Sequence, residues 1–475
     1  MNTRKRPIVG VLRTKKVLML PTPAQKALLK SNGFWAARWV YNITVATIEK
    51  GCWLNPKSER VERVRANERL LRDKLREELR EDAKLKPEDR RLPAAVHGLH
   101  GTILAYAVKD ACEAYNTNFD KMGKTGQTYK FNVRYRSFKA QHTPTEIIHI
   151  QPDASGKNCS PLRRFEAVPK PVSDKRRDTA RAECLAFFGG NLKGLGGVRL
   201  QDKPEVIGLM LSEGKDLREH GKIHWDKRTD SFHFIYCHDM PVAPDPDPAF
   251  EKKRMLAGDM GVAPPIEWYQ PDGSHGAILE GFPAEVKKRC LALDALQSRI
   301  DGRSTTKRPA CYLRDGRQRR RTNRRLRKKI ARDRIRLTNH VANAHYDAAN
   351  FMLERADIVI VPRIDSKRLS ERAFRNMRSG TVRTMLTISP GKLCERLHST
   401  AARYTGRHVF TDTGEPGTTM TRVCCGYVAK VKLGQKKIAC PRCGLVIDRQ
   451  VNGAVGNFYA AIGKAVGIGW DGNSM

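Results

Sequence analysis

The chain has 475 residues and carries 89 lysines and arginines against 50 aspartates and glutamates, so its formal net charge is +39. This length predicts two to four domains with a sizeable core and excludes a single small module. A positive excess this large and dispersed favours a polyanionic partner, most often nucleic acid, but it does not indicate any particular chemistry.

The twelve cysteines are unevenly distributed. Eight are isolated, as in reduced intracellular proteins, and four cluster at Cys424, Cys425, Cys440 and Cys443. The last two, in "CPRCG", have the spacing of a zinc knuckle. Adjacent cysteines tend to point apart, so a four-cysteine site, a three-cysteine site and no zinc all stay open, with "CPRCG" favouring zinc.

Localisation signals are sparse. No apolar run is long enough to cross a membrane and no secretory signal peptide is recognisable, so we expect an intracellular protein without a membrane partner. The basic stretch "TRKRP" near the start resembles a nuclear address, which predicts a nuclear location.

The N-terminal half combines strands and helices. Residues 9–20 read as a strand, and helical periodicity begins at Ala24. In "YKFNVRYRSFKAQH", aromatic residues alternate with the cations Lys130, Arg134 and Arg136. This alternation predicts a strand with a basic face suited to a phosphate backbone, or else an ordinary half-exposed strand.

The C-terminal half begins with a predicted hairpin that carries Asp259 in "GDMGV", followed by a very basic helix. Twelve lysines or arginines lie between Arg317 and Arg336, and apolar positions recur among them at helical spacing. One side of the helix can pack while the other binds phosphate; the alternative is a solvated charged helix. The predicted nucleic-acid contacts on it are Arg317, Arg320, Arg321, Arg324, Arg325, Lys328 and Arg332.

A strand hairpin with one aspartate, a distant acid and an aspartate before the final helix together suggest an RNase H-like nuclease core. Two-metal phosphodiester hydrolysis needs several carboxylates that hold two divalent ions about 4 Å apart. Magnesium prefers such oxygen ligands. Asp259 is the strongest candidate, because neighbouring glycines allow close approach; the alternative is that it belongs to a common Asp-Gly turn.

Several motifs resemble those of the Fanzor and TnpB proteins, the transposon-associated relatives of type V CRISPR effectors. "LAGDMGV" resembles their first nuclease motif, and the resemblance covers about residues 252–465. In TnpB the strand equivalent to "DIVIV" ends in a catalytic glutamate, where this chain has Pro362. The resemblance to Fanzor proteins implies that Glu415, in "EPGTTMTRVCCG", takes that role instead.

The same alignment shows two departures from the family. It puts Arg422 where the first zinc cysteine should be. The family ends in Asp-Arg-Asp-x-Asn-Gly-Ala, whereas "DRQVNGA" keeps Asp448 and places Gln450 at the usual metal-ligand position. A glutamine offers one neutral oxygen and lacks the charge that offsets a cation. Asp448 is a metal ligand or, equally, the N-cap of the last helix.

The resemblance implies an α/β multidomain fold. Its parts are a RuvC-type, RNase H-like nuclease domain (residues 251–420 and 446–475), a zinc-ribbon insert (421–445), a β-barrel wedge domain (1–23 and 129–250) and a helical recognition insert (24–128).

The implied function is that of a monomeric ribonucleoprotein in which an omega-type guide RNA reads double-stranded target DNA. Asp259, Glu415 and an acid near residue 448 would hold two magnesium ions, with zinc as a structural ion. The alternatives are an RNA-guided or nonspecific DNA-binding protein that no longer cuts, and a basic zinc-ribbon structural protein. The last explains the charge but not "GDMGV" together with Glu415.

Overall fold

We describe the protein from a computed structural model. It covers residues 10–54, 61–63, 66–126, 131–139, 144–150, 165–168, 181–188, 192, 194–213, 221–241, 253–261, 265–305, 323–364, 366, 370–371, 378–411, 420–431 and 435–465. These residues form two compact units. The N-terminal unit spans Leu12–Asp239, and the C-terminal unit comprises the described residues from Met240 onward together with residues 10–11.

The N-terminal unit is built on a seven-stranded sheet with the order β4-β8-β9-β1-β7-β6-β5. A separate two-stranded ribbon joins β2 and β3. The strands are β1 (Gly10–Leu20), β2 (Cys52–Leu54), β3 (Val61–Arg63), β4 (Thr145–Ile150), β5 (Phe165–Ala167), β6 (Ala182–Phe187), β7 (Gly197–Asp202), β8 (Gly221–Asp226) and β9 (Ser231–Pro241). The strand at residues 9–20 was expected from sequence, whereas closure of this sheet into a barrel stays a prediction.

One face of this sheet is covered by helices. They are α1 (Pro23–Leu28), α2 (Ala36–Lys50), α3 (Glu68–Ala83), α4 (Ala94–His97), α5 (Gly101–Thr125) and α6 (Pro204–Glu213), and a π-helix (Leu29–Trp35) joins α1 to α2. Period-2 alternation puts Ile148 and Ile150 of β4 into the core, where Phe34 of the π-helix also lies. The buried carboxylate of Glu146 accepts hydrogen bonds from Arg38 and Lys227 and so ties α2 to β4 and β8.

The predicted basic strand after α5 is not present: residues 131–137 have no regular secondary structure. The side chain of Asn42 makes the two backbone hydrogen bonds that a neighbouring strand would otherwise make. It accepts from the Arg136 amide at 2.8 Å and donates to the Arg136 carbonyl at 3.0 Å. Val133 is buried beside Tyr115. The alternation of aromatic and basic residues therefore marks a segment that packs on α2 and α5 instead of joining a sheet.

The C-terminal unit has a five-stranded sheet with the order β12-β11-β10-β13-β14. Strands β10, β11 and β12 are antiparallel neighbours, and β13 runs parallel to both β10 and β14. The strands are β10 (Met255–Met260), β11 (Ile266–Tyr269), β12 (His275–Ile278), β13 (Ile358–Ile360) and β14 (His408–Phe410), and a two-stranded hairpin pairs β15 (Lys437–Ala439) with β16 (Val446–Asp448). The hairpin that carries Asp259 was expected from sequence.

Helices cover both faces of this sheet. They are α8 (Arg324–Arg355) and α10 (Pro390–Ala401) on one face and α11 (Arg449–Ala465) on the other. Helices α7 (Phe282–Thr305) and α9 (Ser379–Ile388) pack with α8 in a separate cluster. Leu256 of β10 faces the core formed with α8 and α10. Its neighbour Ala257 faces Phe458 of α11 on the other side. Among the described residues, no helix is long and apolar enough to cross a membrane.

Candidate active site

Asp259 is positioned by the alternation of the central strand β10. Asp259 and Ala257 share a face, and Ala257 packs against α11. The Asp259 carboxylate lies directly against Gly453 of α11. A Cβ atom at Gly453 would stand 2.6 Å from Oδ2 and 2.9 Å from Cγ of Asp259. Only glycine at this helical position leaves the carboxylate where it is.

Helix α11 is fastened to β10 by a buried amide. Asn457 is fully buried, and its Nδ2 donates to the Gly258 carbonyl oxygen at 3.1 Å. Phe458 packs against Ala257 and Ile360. This combination of a buried hydrogen bond and an apolar contact fixes the register between the helix and the strand that carries Asp259.

Glu267 is a further acid beside Asp259 that was not predicted from sequence. It lies opposite Asp259 in the antiparallel pairing of β10 and β11. Directly paired residues point to the same face with Cβ atoms about 5 Å apart. Burial raises the pKa of Glu267, and the negative charges of Asp448 and Glu280 raise it further. The hairpin register was the signal that could have identified it.

Asp448 forms the helix cap that was one of its two expected roles. It ends β16, and its Oδ1 accepts the Gln450 amide at 2.8 Å in the first turn of α11. Its charge also acts on Glu267. Gln450 is half-buried in the same turn. Whether either side chain ligates a metal stays a prediction, and Glu415 lies outside the described residues.

These acids match magnesium in donor chemistry. Asp259, Glu267 and Asp448 offer carboxylate oxygens, which are the ligands that magnesium prefers, and Gly453 leaves space for the Asp259 oxygen. The carboxylate oxygens of these three residues do not form a compact cluster of ligand atoms. In the described part of the chain, only the four cysteines form a group of three or more ligand atoms all within 4.8 Å of one another.

The cysteine cluster brings all four predicted thiols together. The Sγ–Sγ distances are 3.1 Å for Cys424–Cys443, 3.3 Å for Cys425–Cys440 and 3.8 Å for Cys424–Cys425. The expectation that the adjacent pair would point apart is therefore wrong. Four sulfurs at these distances suit a tetrahedral zinc ion.

The backbone explains why the four thiols converge. Residues 422–427 and residues 440–445 form two knuckles with the same hydrogen bonds. In the first, the Arg422 amide donates to the Tyr427 carbonyl and the Arg422 carbonyl accepts from Gly426. In the second, Cys440 makes the same two bonds with Leu445 and Gly444. Both glycines have positive φ angles, 70° and 75°.

Arg422 and Cys440 thus occupy equivalent positions in the two knuckles. Cys425 corresponds to Cys443, and Cys424 is the additional thiol that reaches the cluster. Arg422 is 5 % exposed and its Nη1 donates to the Met420 carbonyl. It is a packed part of the first knuckle.

The environment of Cys440 favours its thiolate. Burial opposes the charge, but backbone hydrogen bonds from Cys443 and Arg442 stabilise it and lower the pKa of Cys440 to about 6. Burial and hydrogen bonding among the thiols instead raise the pKa of Cys424 to about 12. A cation that draws these sulfurs together would bind them as thiolates.

Asn452 joins the first knuckle to helix α11. This residue is fully buried; its Nδ2 donates to the Thr421 carbonyl at 2.8 Å and its Oδ1 accepts the Val423 amide at 3.2 Å. The next residue along the helix is Gly453, which contacts Asp259. The "NGA" sequence therefore connects the cysteine cluster to Asp259 through adjacent residues.

The predicted basic contacts differ in their surroundings. On α8, Arg324, Arg325 and Arg332 are exposed and Lys328 is half-buried. Arg134 is exposed, whereas Arg136 pairs with Asp110 at 2.9 Å and stacks on Tyr41. Internal contacts therefore occupy Arg136. The remaining predicted contacts, Lys130, Arg317, Arg320 and Arg321, lie outside the described residues.

Sequence comparison finds no matching protein-family profile and no matching curated protein. In fold, the chain is similar to a mini-RNA-guided endonuclease, CRISPR-Cas_phi3, with a TM-score of 0.50, 9% identity and coverage of 97% of this chain and 94% of that one. CasPhi-2 (Cas12j) bound to crRNA gives a TM-score of 0.45 at 9% identity, covering 95% and 98%. The Cas12f1-sgRNA-target DNA complex gives 0.41 at 12%, covering 94% and 98%. The chain therefore has a mixed α/β fold of the kind seen in Cas_phi3.

Proposed function

We propose that the chain is an RNA-guided DNA-binding protein that cuts target DNA by metal-dependent phosphodiester hydrolysis. Two independent features support this function. The fold extends over nearly the full length of a protein described as an RNA-guided endonuclease. The net charge of +39 suits a protein that neutralises both a guide RNA and a DNA strand.

The observation that carries the nuclease proposal is the place of Asp259. It stands on the central strand of the five-stranded sheet, between the antiparallel hairpin and the parallel strands, and this position supports the proposed RNase H-like core. A glycine on the covering helix leaves its carboxylate free of a side-chain clash. No structural role as a turn residue explains an aspartate inside a paired strand.

In this proposal Asp259, Glu267 and Asp448 form the acidic face, and Glu415 is the further predicted ligand. When bound, magnesium would supply Lewis-acid stabilisation of the reacting phosphate. Asp259 would hold its carboxylate toward that position and Glu267 would add charge from the neighbouring strand. Asn457 and Phe458 keep the covering helix in register.

A second candidate function is RNA-guided DNA binding with weak or no cleavage. Gln450 favours it, because an amide at the family's ligand position does not offset a metal charge. Replacing Gln450→Asp separates the two: a large gain in cleavage by the variant identifies this position as the lost ligand, whereas an unchanged rate assigns the centre to the other acids.

The finer assignment is also proposed. It comprises membership of the Fanzor and TnpB group, an omega-type guide RNA, a monomeric ribonucleoprotein, a nuclear location and a zinc ion held by Cys424, Cys425, Cys440 and Cys443. The two equivalent knuckles and the four neighbouring sulfurs support the zinc assignment.

Guided binding is tested by purifying the chain with its RNA, sequencing that RNA, and measuring binding to a duplex that matches its variable end. A scrambled duplex of equal length is the control. The proposal predicts retention of the matched duplex alone at physiological salt. Equal binding of both duplexes, or a preparation without a defined RNA, would contradict it.

A further inference from the structure

A groove of about 690 Å³ lies between α8, α9 and α10 in the C-terminal unit. Its lining includes the apolar side chains of Leu337, Val341 and Leu386 together with polar and charged ones. None of the residues in the acidic face or the cysteine cluster lines it. The groove is therefore separate from both sites described above.

The charge of the groove is positive. Arg334, Lys392 and Arg396 line it together with one carboxylate, Glu395. Burial lowers the pKa of His345 in the lining; its hydrogen bond with the Ile388 carbonyl opposes this, and the charges of Arg396 and Lys392 lower the pKa further. With His345 neutral, three cations against one acid leave a net charge of +2.

Arg396 is held in place but not fully satisfied. Its guanidinium stacks on the Tyr346 ring at 3.8 Å and donates to the Tyr346 hydroxyl. Its Nε is buried and has no partner among the described residues. A guanidinium that is already fixed in this way loses little freedom on binding an anion, which suits it to an anionic ligand.

The corner between α9 and α10 adds donors to the same groove. Ser389 ends α9 and starts α10 in the left-handed conformation, with φ 55° and ψ 73°. Its side chain makes no capping hydrogen bond, so the first turn of α10 keeps its positive end open. Thr338, Thr387 and Ser399 also line the groove, but their hydroxyls already donate to backbone carbonyls of their own helices.

We propose that this groove binds the sugar-phosphate backbone of a nucleic-acid strand. Cations and a helix N-terminus are groups that contact phosphates without reading bases. Two neighbouring cations of α8 are already in ion pairs, because Asp333 pairs with both Lys329 and Arg336. Within the described residues, Arg334 has no such partner and is available.

The inference rests on the proposed function only for the kind of ligand, nucleic acid, and it requires no cleavage. Its test is equilibrium binding by the full-length chain without divalent metal. The probes are a single-stranded RNA of about 20 nucleotides, the DNA of the same sequence, and their RNA–DNA heteroduplex. Comparing the three probes identifies the strand that occupies the groove.

The test variant is Arg334→Glu with Lys392→Glu, and the charge-matched control is Lys287→Glu with Lys288→Glu on the exposed face of α7. We expect the groove variant to lose at least about tenfold in affinity for one probe, with a salt slope reduced by about two. The control is expected to stay within about threefold of wild type. A pair that keeps the charges, Arg334→Lys with Lys392→Arg, should bind as wild type.

Thermal melting of each variant separates loss of binding from loss of folding. Equal losses in the groove and control variants, or wild-type affinity in the groove variant for all three probes, would overturn the assignment. A chain in which Asp259→Asn abolishes cutting but groove-dependent binding persists supports both proposals. Binding lost through the groove in a chain that never cuts supports the groove and counts against the nuclease.

Discussion

The carboxylate of Asp259 rests against the α-carbon of Gly453, so a side chain on one helix position and the acid on the central strand exclude each other. This contact gives a steric reason for the glycine in "NGA". The asparagine fastens the cysteine cluster, and the glycine leaves the acid in place. Both residues are needed to keep Asp259 in the position from which it could bind a metal.

Gly453→Ala is the first prediction. Alanine favours a helix by about 1 kcal/mol over glycine, but its Cβ must displace the Asp259 carboxylate. We expect a folded protein with a melting temperature within a few degrees of wild type and cleavage reduced about tenfold or more. Gly208→Ala is the control, because a Cβ there meets nothing within 4 Å. Cleavage at the wild-type rate by Gly453→Ala would show that this contact is unimportant.

Glu267→Gln tests the acid that the hairpin register adds to the site. It removes a charge while keeping the shape of the side chain. We expect manganese affinity, measured by calorimetry, to fall about 10- to 100-fold, while removal of like-charge repulsion leaves stability unchanged or raised. Glu285→Gln, on exposed helix α7, is the control. Unaltered metal affinity in Glu267→Gln would remove Glu267 from the site.

Asn452→Ala breaks the connection between the cysteine knuckle and α11. The change leaves the Thr421 carbonyl and the Val423 amide without their buried partner, which costs about 2 kcal/mol. Chemical denaturation should show this loss together with a lower zinc content. Asn118→Ala makes a suitable comparison, since within the described residues Asn118 bonds only to Ala114 of its own helix. Equal effects of the two substitutions would refute the special role of Asn452.

The equivalence of Arg422 and Cys440 predicts a rescue. Cys424→Ser should lower the zinc content below one ion per chain, because the first knuckle then offers only Cys425. Adding Arg422→Cys restores the spacing of the second knuckle and should return the content to one ion. Metal analysis of the purified variants measures this. Failure of the double variant to regain zinc would contradict the equivalence.

Asp82 links stability to pH in the N-terminal unit. Burial opposes its ionisation, but hydrogen bonds from Arg91, His97 and Leu92 outweigh this and lower the pKa of Asp82. A lowered folded-state pKa stabilises the protein above the usual carboxyl range, and this stabilisation is lost as pH falls below about 4. Asp82→Asn should therefore melt lower than wild type at pH 7, with a difference that shrinks in acid. The exposed Asp73→Asn should show neither effect, and a pH-independent difference would contradict the account.

The sequence predicted the features that local pattern determines and missed those that depend on pairing. The hairpin around Asp259 follows from alternation and turn residues. Glu267 was missed because only the register shows that it faces Asp259. Cys424 was expected to point away, because a sequence does not show how tightly the turn before Gly426 closes. The segment around Arg136 was misassigned because an Asn42 side chain, distant in sequence, replaces a strand.

The most direct test of the central claim is the rate at which the purified ribonucleoprotein cuts a plasmid carrying its matched target in magnesium, compared with Asp259→Asn. The asparagine keeps the size of the side chain and removes its charge, and binding to the target is measured in parallel. The account predicts that wild type cuts, that Asp259→Asn binds equally and that its cleavage rate falls by about 1,000-fold or more. Undiminished cleavage by Asp259→Asn would contradict it.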